Sequence, residues 1–275
     1  KPSSAASDVY KRQDHMKTLL GASIGLFAFA SLTTASLAQD TLRIAVGGFG
    51  LWATEAPRLG QQAGIYKKHG LNVEYYGTAG AGESLQAVIS GSADLSVGVG
   101  TTGVMGAFAK GAPVRIFGAN FTGAGDLYWY VRADSPLKSL KDATDKTLVA
   151  FSSNGSSSNA VAAALVEELG SKARLLATGD QASTLTQVMS GQVDVGWAGP
   201  PFGLKEIAEG KIRIIATGND APSLRDQTVR VDMASLRVLT EKRDAMKRYV
   251  AAYREILDWG YQDPKAIEMW AGNIG

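Results

Sequence analysis

Two periodicities alternate along residues 41–275. Short apolar runs at 42–46, 72–76, 94–99 and 114–119 read as strands. Between them, 54–68 and 83–90 carry apolar residues at helical spacing, and a further helix runs from Thr101-Thr102 to Lys110-Gly111. Thr54 is the N-cap candidate of the 54–68 helix, Pro57 fits its first turn, and Gly70 ends it. The order β-α-β-α-β-α-β predicts a parallel sheet with helices on both faces. The aromatic run 127–131 is broken by Ala133-Asp134-Ser135-Pro136 and reads as a first crossing between lobes. The pattern then restarts. A strand at 147–151 leads through a Gly/Ser loop into an Ala-rich helix ending at Leu169, followed by a strand at 173–177. A helix at 202–209, a strand at 212–216 and a polar loop at 218–227 come next. Residues 228–238 carry the chain back, 240–259 form an amphipathic helix, and Asp263-Pro264 opens a last one.

One stretch occurs twice at an offset of 100 residues, at 84–100 and 184–199. Leu85/Leu185, Val88/Val188, Ser90/Ser190, Gly91/Gly191 and Asp94/Asp194 are identical pairs. In each copy a short helix ends at a glycine placed for a left-handed C′ residue, and an Asp and a strand ending in Gly follow. Ligands in open α/β folds sit at the C-terminal ends of such strands. Helix–Gly–strand corners also recur in unrelated α/β proteins, so the repeat is a trace of two similar lobes or only a common corner. The copies differ at their ends. The first closes on Gly98, Gly100 and Thr101-Thr102, a hydrogen-bonding rim, and the second on Trp197 and Pro200-Pro201, an apolar one. The polar end of a ligand is therefore expected to face the first lobe and its apolar body the second.

The chain has 275 residues, 45% of them hydrophobic, enough for one large or two modest cores. Residues 16–38 read as a signal peptide: Met16-Lys17 precedes an apolar run, and Ala35-Ser36-Leu37-Ala38 sets small residues before a cleavage point. Residues 1–15 precede the start Met and read as non-native. The formal charge of +2 lies wholly in residues 1–38, where four basic residues face two acidic ones. The near-neutral remainder argues against nucleic acid or membrane-surface partners. The chain has no Cys and two His, of which only His69 lies beyond the leader. That argues against thiolate chemistry, a lipid anchor, iron–sulfur clusters, a Ser-His-Asp triad and multi-His metal sites. No catalytic residue, metal ligand or cofactor is assigned.

Gly64-Ile65-Tyr66-Lys67-Lys68-His69-Gly70-Leu71-Asn72-Val73-Glu74 resembles a signature of periplasmic binding proteins for nitrate, sulfonates, taurine and thiamine precursors, the solute receptors of ABC importers. Ser139-Leu140-Lys141-Asp142 is similar to the segment that opens their second lobe, Gly155-Ser156-Ser157-Ser158 to the helix start after it, and 197–202 to a strand-to-helix segment. The resemblance spans residues 41–272. Ala143-Thr144-Asp145 departs from the usual Leu-Lys-Gly, and the C-terminus is shorter than usual. The resemblance implies an α/β, two-lobed periplasmic binding protein fold of type II, each lobe a mainly parallel sheet, joined by two crossings. Residues 41–127 with 232–275 form lobe 1 and 128–231 lobe 2.

The resemblance places a ligand in the cleft. Gly80, Gly82 and Glu83 at one helix start, Thr101 and Thr102 at the next, and Gly155, Ser156, Ser157 and Ser158 on the other lobe offer backbone N–H and hydroxyl groups. Opposed helix starts suit an anion, so a sulfonate, carboxylate or nitrate is expected. Each serine reads equally as an N-cap, and Gly82 also reads as a residue required by turn geometry alone. Glu83 reads as a first-turn cap; facing the cleft, it would instead hold an amine or ring N–H. Phe49, Trp52, Phe121 and Trp197 are candidate aromatic walls, and Asn120 a polar contact. Trp129, Trp259 and Trp270 read as packing, and Arg43 as a sheet-edge residue.

The expected function is that of an exported, monomeric, non-enzymatic receptor delivering a small organic ligand to an ABC permease. A periplasmic ligand-sensing domain is an alternative. A thiamine-pyrimidine-synthase-like enzyme fits less well, because those resemble iron proteins with a reactive His and a Cys-rich stretch.

Overall fold

Leu42, Ile44, Ala45 and Val46 are all fully buried in the computed structural model, which describes residues 39–274. A strand apolar on both faces needs cover on both, and belongs inside a sheet. The expected non-native residues 1–15 and signal peptide 16–38 lie outside the described residues. The chain runs β1 (Asp40–Val46), α1 (Ala56–Gln62), α2 (Ile65–Lys68), β2 (Leu71–Gly77), α3 (Ala81–Ser90), β3 (Leu95–Gly100), α4 (Thr101–Ala109) and β4 (Val114–Thr122). It continues through β5 (Tyr128–Arg132), β6 (Leu148–Phe151), α5 (Ser157–Glu168), β7 (Arg174–Ala177), α6 (Gln181–Met189), β8 (Gly196–Ala198), α7 (Leu204–Ala208) and β9 (Ile212–Thr217). It closes with β10 (Thr228–Ser235), α8 (Leu236–Glu241), α9 (Arg243–Gln262) and α10 (Pro264–Ile274).

The first sheet has the order β2-β1-β3-β10-β4. β1 pairs in parallel with β2 and β3, and β10 runs antiparallel to β3 and β4. In the second half β8-β5-β9 and β6-β7 are joined by a parallel bridge between Val149 and Val195, giving β7-β6-β8-β5-β9. β5 is antiparallel to both its neighbours. The two halves therefore have the same plan, with the strand that arrives from the other half in the fourth place. Each sheet is mixed where a mainly parallel one was expected. The reason is geometric: an incoming strand enters at the cleft side, where the parallel strands end, and so runs against them. Every residue of Thr228–Ser235 but Val229 pairs within the first sheet.

The duplicated stretch has the same local bonding in both halves. Gly91 and Gly191 take φ of 81° and 76°, the left-handed conformation expected. Asp94 accepts the Arg43 N–H at 2.9 Å, and Asp194 that of Leu148 at 2.8 Å, so each Asp clamps the neighbouring parallel strand. The likeness extends upstream. Thr78 and Thr178 each bond a hydroxyl six residues on, Ser84 at 2.8 Å and Thr184 at 2.6 Å. Arg43 is bound at the sheet surface by the Gly91 carbonyl at 2.8 Å.

Several element boundaries differ from those expected. The 54–68 helix is broken into α1 and α2, because Gly64 takes φ 72°. Thr54 caps nothing; its hydroxyl donates to the Gly48 and Leu51 carbonyls and holds the turn ahead of the helix. β4 continues to Thr122, so Asn120 and Phe121 lie within the strand rather than beyond it. On α9, Met246, Tyr249 and Ile256 are buried against the first sheet, with Tyr249 stacked on Tyr66 at 5.8 Å. Trp129 is fully buried and donates to the Ala150 carbonyl at 3.0 Å, which makes it core packing.

The two crossings meet at one buried side chain. Arg230, 2% exposed, makes paired 2.8 Å bonds to Asp126 and donates to the Ser157 hydroxyl at 3.0 Å. Its guanidinium lies 4.7 Å from the Phe121 ring centroid. Arg230→Met leaves the Asp126 carboxylate without its partner. It should destabilise the protein by about 3 kcal/mol in urea unfolding, and the double change with Asp126→Leu should recover most of that.

Two residues along β10, Asp232 is also buried. It accepts the Gly98 N–H at 3.0 Å and the Asn120 amide at 2.9 Å, yet burial dominates and pushes its carboxyl up to about 6. Its folded value exceeds its unfolded one, near 3.9. Neutral Asp232 therefore costs nothing below pH 4, and stability falls as pH rises toward 6. Relative to Asp232→Asn, wild type should lose about 2 kcal/mol of stability between pH 4 and pH 7, read from urea midpoints of both proteins.

Candidate functional site

The strand ends of both halves converge on one cleft. After β1 the chain turns through Gly48 and Gly50, whose φ of 111° and 102° suit glycine alone. Buried Glu55 fixes this turn by accepting the Gly50 N–H at 2.7 Å. The same carboxylate holds Arg58 through bonds of 2.8 and 2.6 Å. The Arg58 guanidinium covers the Phe49 ring at 4.6 Å, and Tyr75 meets that ring edge-on at 5.8 Å. Phe49 is thus held in place at the first strand end.

From the other half come the start of α6 and the segment after β8. Asp180 caps α6 by accepting the Ser183 N–H at 2.7 Å. Gln181 accepts the Gly199 N–H at 2.7 Å, which ties the two segments together. Tyr128 donates its hydroxyl to the Phe202 carbonyl. Trp197 is 5% exposed, and its buried indole Nε1 has no hydrogen-bond partner among the described residues.

Two adjoining cavities lie between these groups. One, of about 180 Å³, is lined by Gly47, Gly48, Phe49 and Leu51 on one side and Asp180, Gln181, Ala182, Trp197 and Phe202 on the other. The second, of about 230 Å³, is lined by Phe49, Gly50, Gln181, Pro201, Phe202 and Ile274. Small-ligand sites span about 300–1,000 Å³, so the pair suits a small molecule. Asp180 is the one charged side chain among the described residues lining either cavity.

Of the residues expected to line a site, Phe49 and Trp197 are brought together there. Trp52 is not: its ring packs edge-on against Tyr261 and Trp270, at 5.7 and 5.3 Å, and anchors the C-terminal helices. Phe121 lies under Arg230 at the crossing. Asn120 serves Asp232, the Ala53 carbonyl and Tyr253. Thr101 donates to the Thr228 carbonyl at 2.6 Å, Thr102 is exposed, and neither hydroxyl caps α4.

The opposed helix starts meet one another. The Gly82 N–H donates to Ser153 at 2.9 Å, and a Cβ on Gly80 would lie 2.9 Å from that same hydroxyl. A Cβ on Gly100 would lie 2.1 Å from the Gly155 carbonyl oxygen, and one on Gly103 2.5 Å from it. Ser156 caps α5 through the Asn159 N–H, Ser157 accepts from Arg230, and Ser158 accepts the Ser152 N–H. Glu83 is exposed and accepts the Ala79 N–H at 3.0 Å, a local cap. His69 sits 2.8 Å from Glu255, outside both cavities. No group of three or more His, Cys, Asp or Glu among the described residues is placed to hold a metal ion.

Asp180, Gln181 and Phe202 are cavity residues that sequence reasoning did not single out. The signal for the first two was present. Carried four residues further upstream, the 100-residue offset sets Asp180, Gln181 and Ala182 against Gly80, Ala81 and Gly82.

A family profile described as NMT1/THI5 like matches residues 58–267. Comparison with curated protein sequences returns no match. Among solved structures, the chain is similar to the alkanesulfonate-binding protein SsuA from Xanthomonas axonopodis pv. citri bound to MOPS. Identity is 20%, with 86% of this chain and 79% of that one covered at a TM-score of 0.73. It is similar to the Candida albicans CA3427 gene product, which exhibits the generic periplasmic binding protein fold, at 19% identity, 85% and 76% coverage and a TM-score of 0.69. It is also similar to the periplasmic nitrate-binding protein NrtA from Synechocystis PCC 6803, at 19% identity, 81% and 62% coverage and a TM-score of 0.61. At these identities the likeness is one of fold, and the fold is the α/β periplasmic binding protein fold.

The close approach of Gly103 to Gly155 gives a test of lobe contact. Alanine at 103 suits the helix, by about 0.5–1 kcal/mol over glycine, but collides with the facing backbone. Gly103→Ala should fold with an unchanged or higher Tm while its radius of gyration in small-angle scattering rises above that of wild type.

Proposed function

The chain belongs to the NMT1/THI5-like family, and from that membership we propose that it is a solute receptor. It captures a small organic molecule between two lobes, closes over it, and delivers it to an ABC-type permease. The observation that carries this reading is the pair of cavities walled by strand ends from both halves, with Phe49 facing Trp197 and Phe202 across them. Ligands of open α/β sheets bind at such ends, and hinge closure is the motion that two crossings allow. Similar structures include alkanesulfonate- and nitrate-binding proteins, which supports a small solute.

Binding rather than catalysis is proposed because the described residues lining the cavities include no nucleophile–base pair, and the chain has no Cys. The protein works in the periplasm as a monomer, exported through residues 16–38. No helix among the described residues is long and apolar enough to cross a membrane. Lobe 1 comprises residues 41–127 and the segment from the return crossing onward, and lobe 2 the residues between. The anionic head expected from the sequence rested on open helix starts. Three of those N–H groups donate to protein groups, and the one charge among the described residues lining the cavities is a carboxylate.

Native mass spectrometry of freshly purified protein should show a small molecule lost on denaturation. Small-angle scattering should show contraction when that molecule is restored. A scattering profile that stays the same with sulfonates, aromatic acids, amines and nitrate alike would overturn the receptor reading.

A further inference from the structure

Resting on that receptor reading, we propose that the ligand's charged end is an ammonium group, seated against Asp180 between aromatic rings. Among the described residues lining the cavities, the Asp180 carboxylate is the only charge. One of its oxygens caps Ser183, a single bond that leaves the carboxylate able to accept another donor. Phe49, Trp197 and Phe202 line the same cavity, and aromatic faces attract cations. A carboxylate with several rings is a setting that recognises an ammonium.

The arginines at the Phe49 turn and at the crossing are engaged elsewhere. Arg58 is bound twice to Glu55, and Arg230 twice to Asp126. The Gly82, Asn159 and Ser183 N–H groups at three helix starts donate to Ser153, Ser156 and Asp180. An anion at the start of α6 would meet the Asp180 carboxylate and be repelled. The Trp197 ring lines the cavity, while its Nε1 is buried without a partner among the described residues.

Two matched pairs of probes test this by titration calorimetry: 2-phenylethylamine against 2-phenylethanesulfonate, and butylamine against butane-1-sulfonate. In at least one pair the amine should bind about tenfold or more tightly than the sulfonate, with contraction in scattering. Asp180→Asn keeps the helix cap, so the Tm without ligand should stay as it is while amine affinity falls about tenfold or more. Tighter sulfonate binding with contraction overturns the ammonium assignment and leaves the receptor reading standing, as does amine binding that Asp180→Asn leaves unchanged. Failure of all four probes to bind overturns the assignment. If the co-purified molecule is also absent and no solute contracts the protein, the receptor reading falls with it.

Discussion

The geometry of the molecule depends on one buried guanidinium. Arg230 lies on the returning strand and Asp126 on the outgoing crossing, so their paired bonds fasten the two connections at one point. Ser157, at the first turn of α5, extends that point into the second half, and Phe121 closes it from β4. A charge this buried is costly unless every donor direction is used. Here two carboxylate oxygens, a hydroxyl and an aromatic face share the guanidinium. The chain is thus fixed where the halves join, and the proposed closure would turn about that point.

A second constraint decides where space remains. Gly100 and Gly103 let α4 meet the backbone of the Gly155 loop with no side chain between them. Gly80 and Gly82 admit Ser153 in the same way. These contacts fill the region where helix starts oppose one another. The volume left lies beside them, where the Phe49 turn faces Asp180, Trp197 and Phe202. Glycines that signal ligand access in a sequence can equally signal backbone-to-backbone contact. Only the opposing surface distinguishes the two uses.

Much of the architecture was legible because it rests on local chemistry. The repeated glycine forces a left-handed turn in either copy, and the repeated Asp clamps the adjacent strand in both. Strand direction was not legible, since it depends on the side from which β5 and β10 enter. Nor was the division of labour among aromatic residues. Phe49 and Trp52 stand three residues apart after the same strand, yet one lines the cavity and the other anchors Tyr261 and Trp270. That choice depends on helices more than 200 residues further along. Phe121 and Asn120 were placed beyond a strand that continues through them, and pairing with β10 extends it.

The asymmetry between the repeated units bears most directly on function. Their helices, glycines and clamping Asp residues are alike, because each half needs the same corner to fold. Their ligand-facing ends have no such obligation and differ. The expected polar rim of the first copy is occupied: Thr101 serves the returning strand, and Gly100 meets the Gly155 loop. At the position of Gly80 the second copy carries Asp180, and at that of Val97 it carries Trp197. The charge and most of the aromatic wall of the cavities therefore both lie in the second half. A repeated scaffold leaves each copy's strand end free to vary without loss of the fold. That is why the shared fold of proteins some 20% identical does not carry their ligand's charge with it.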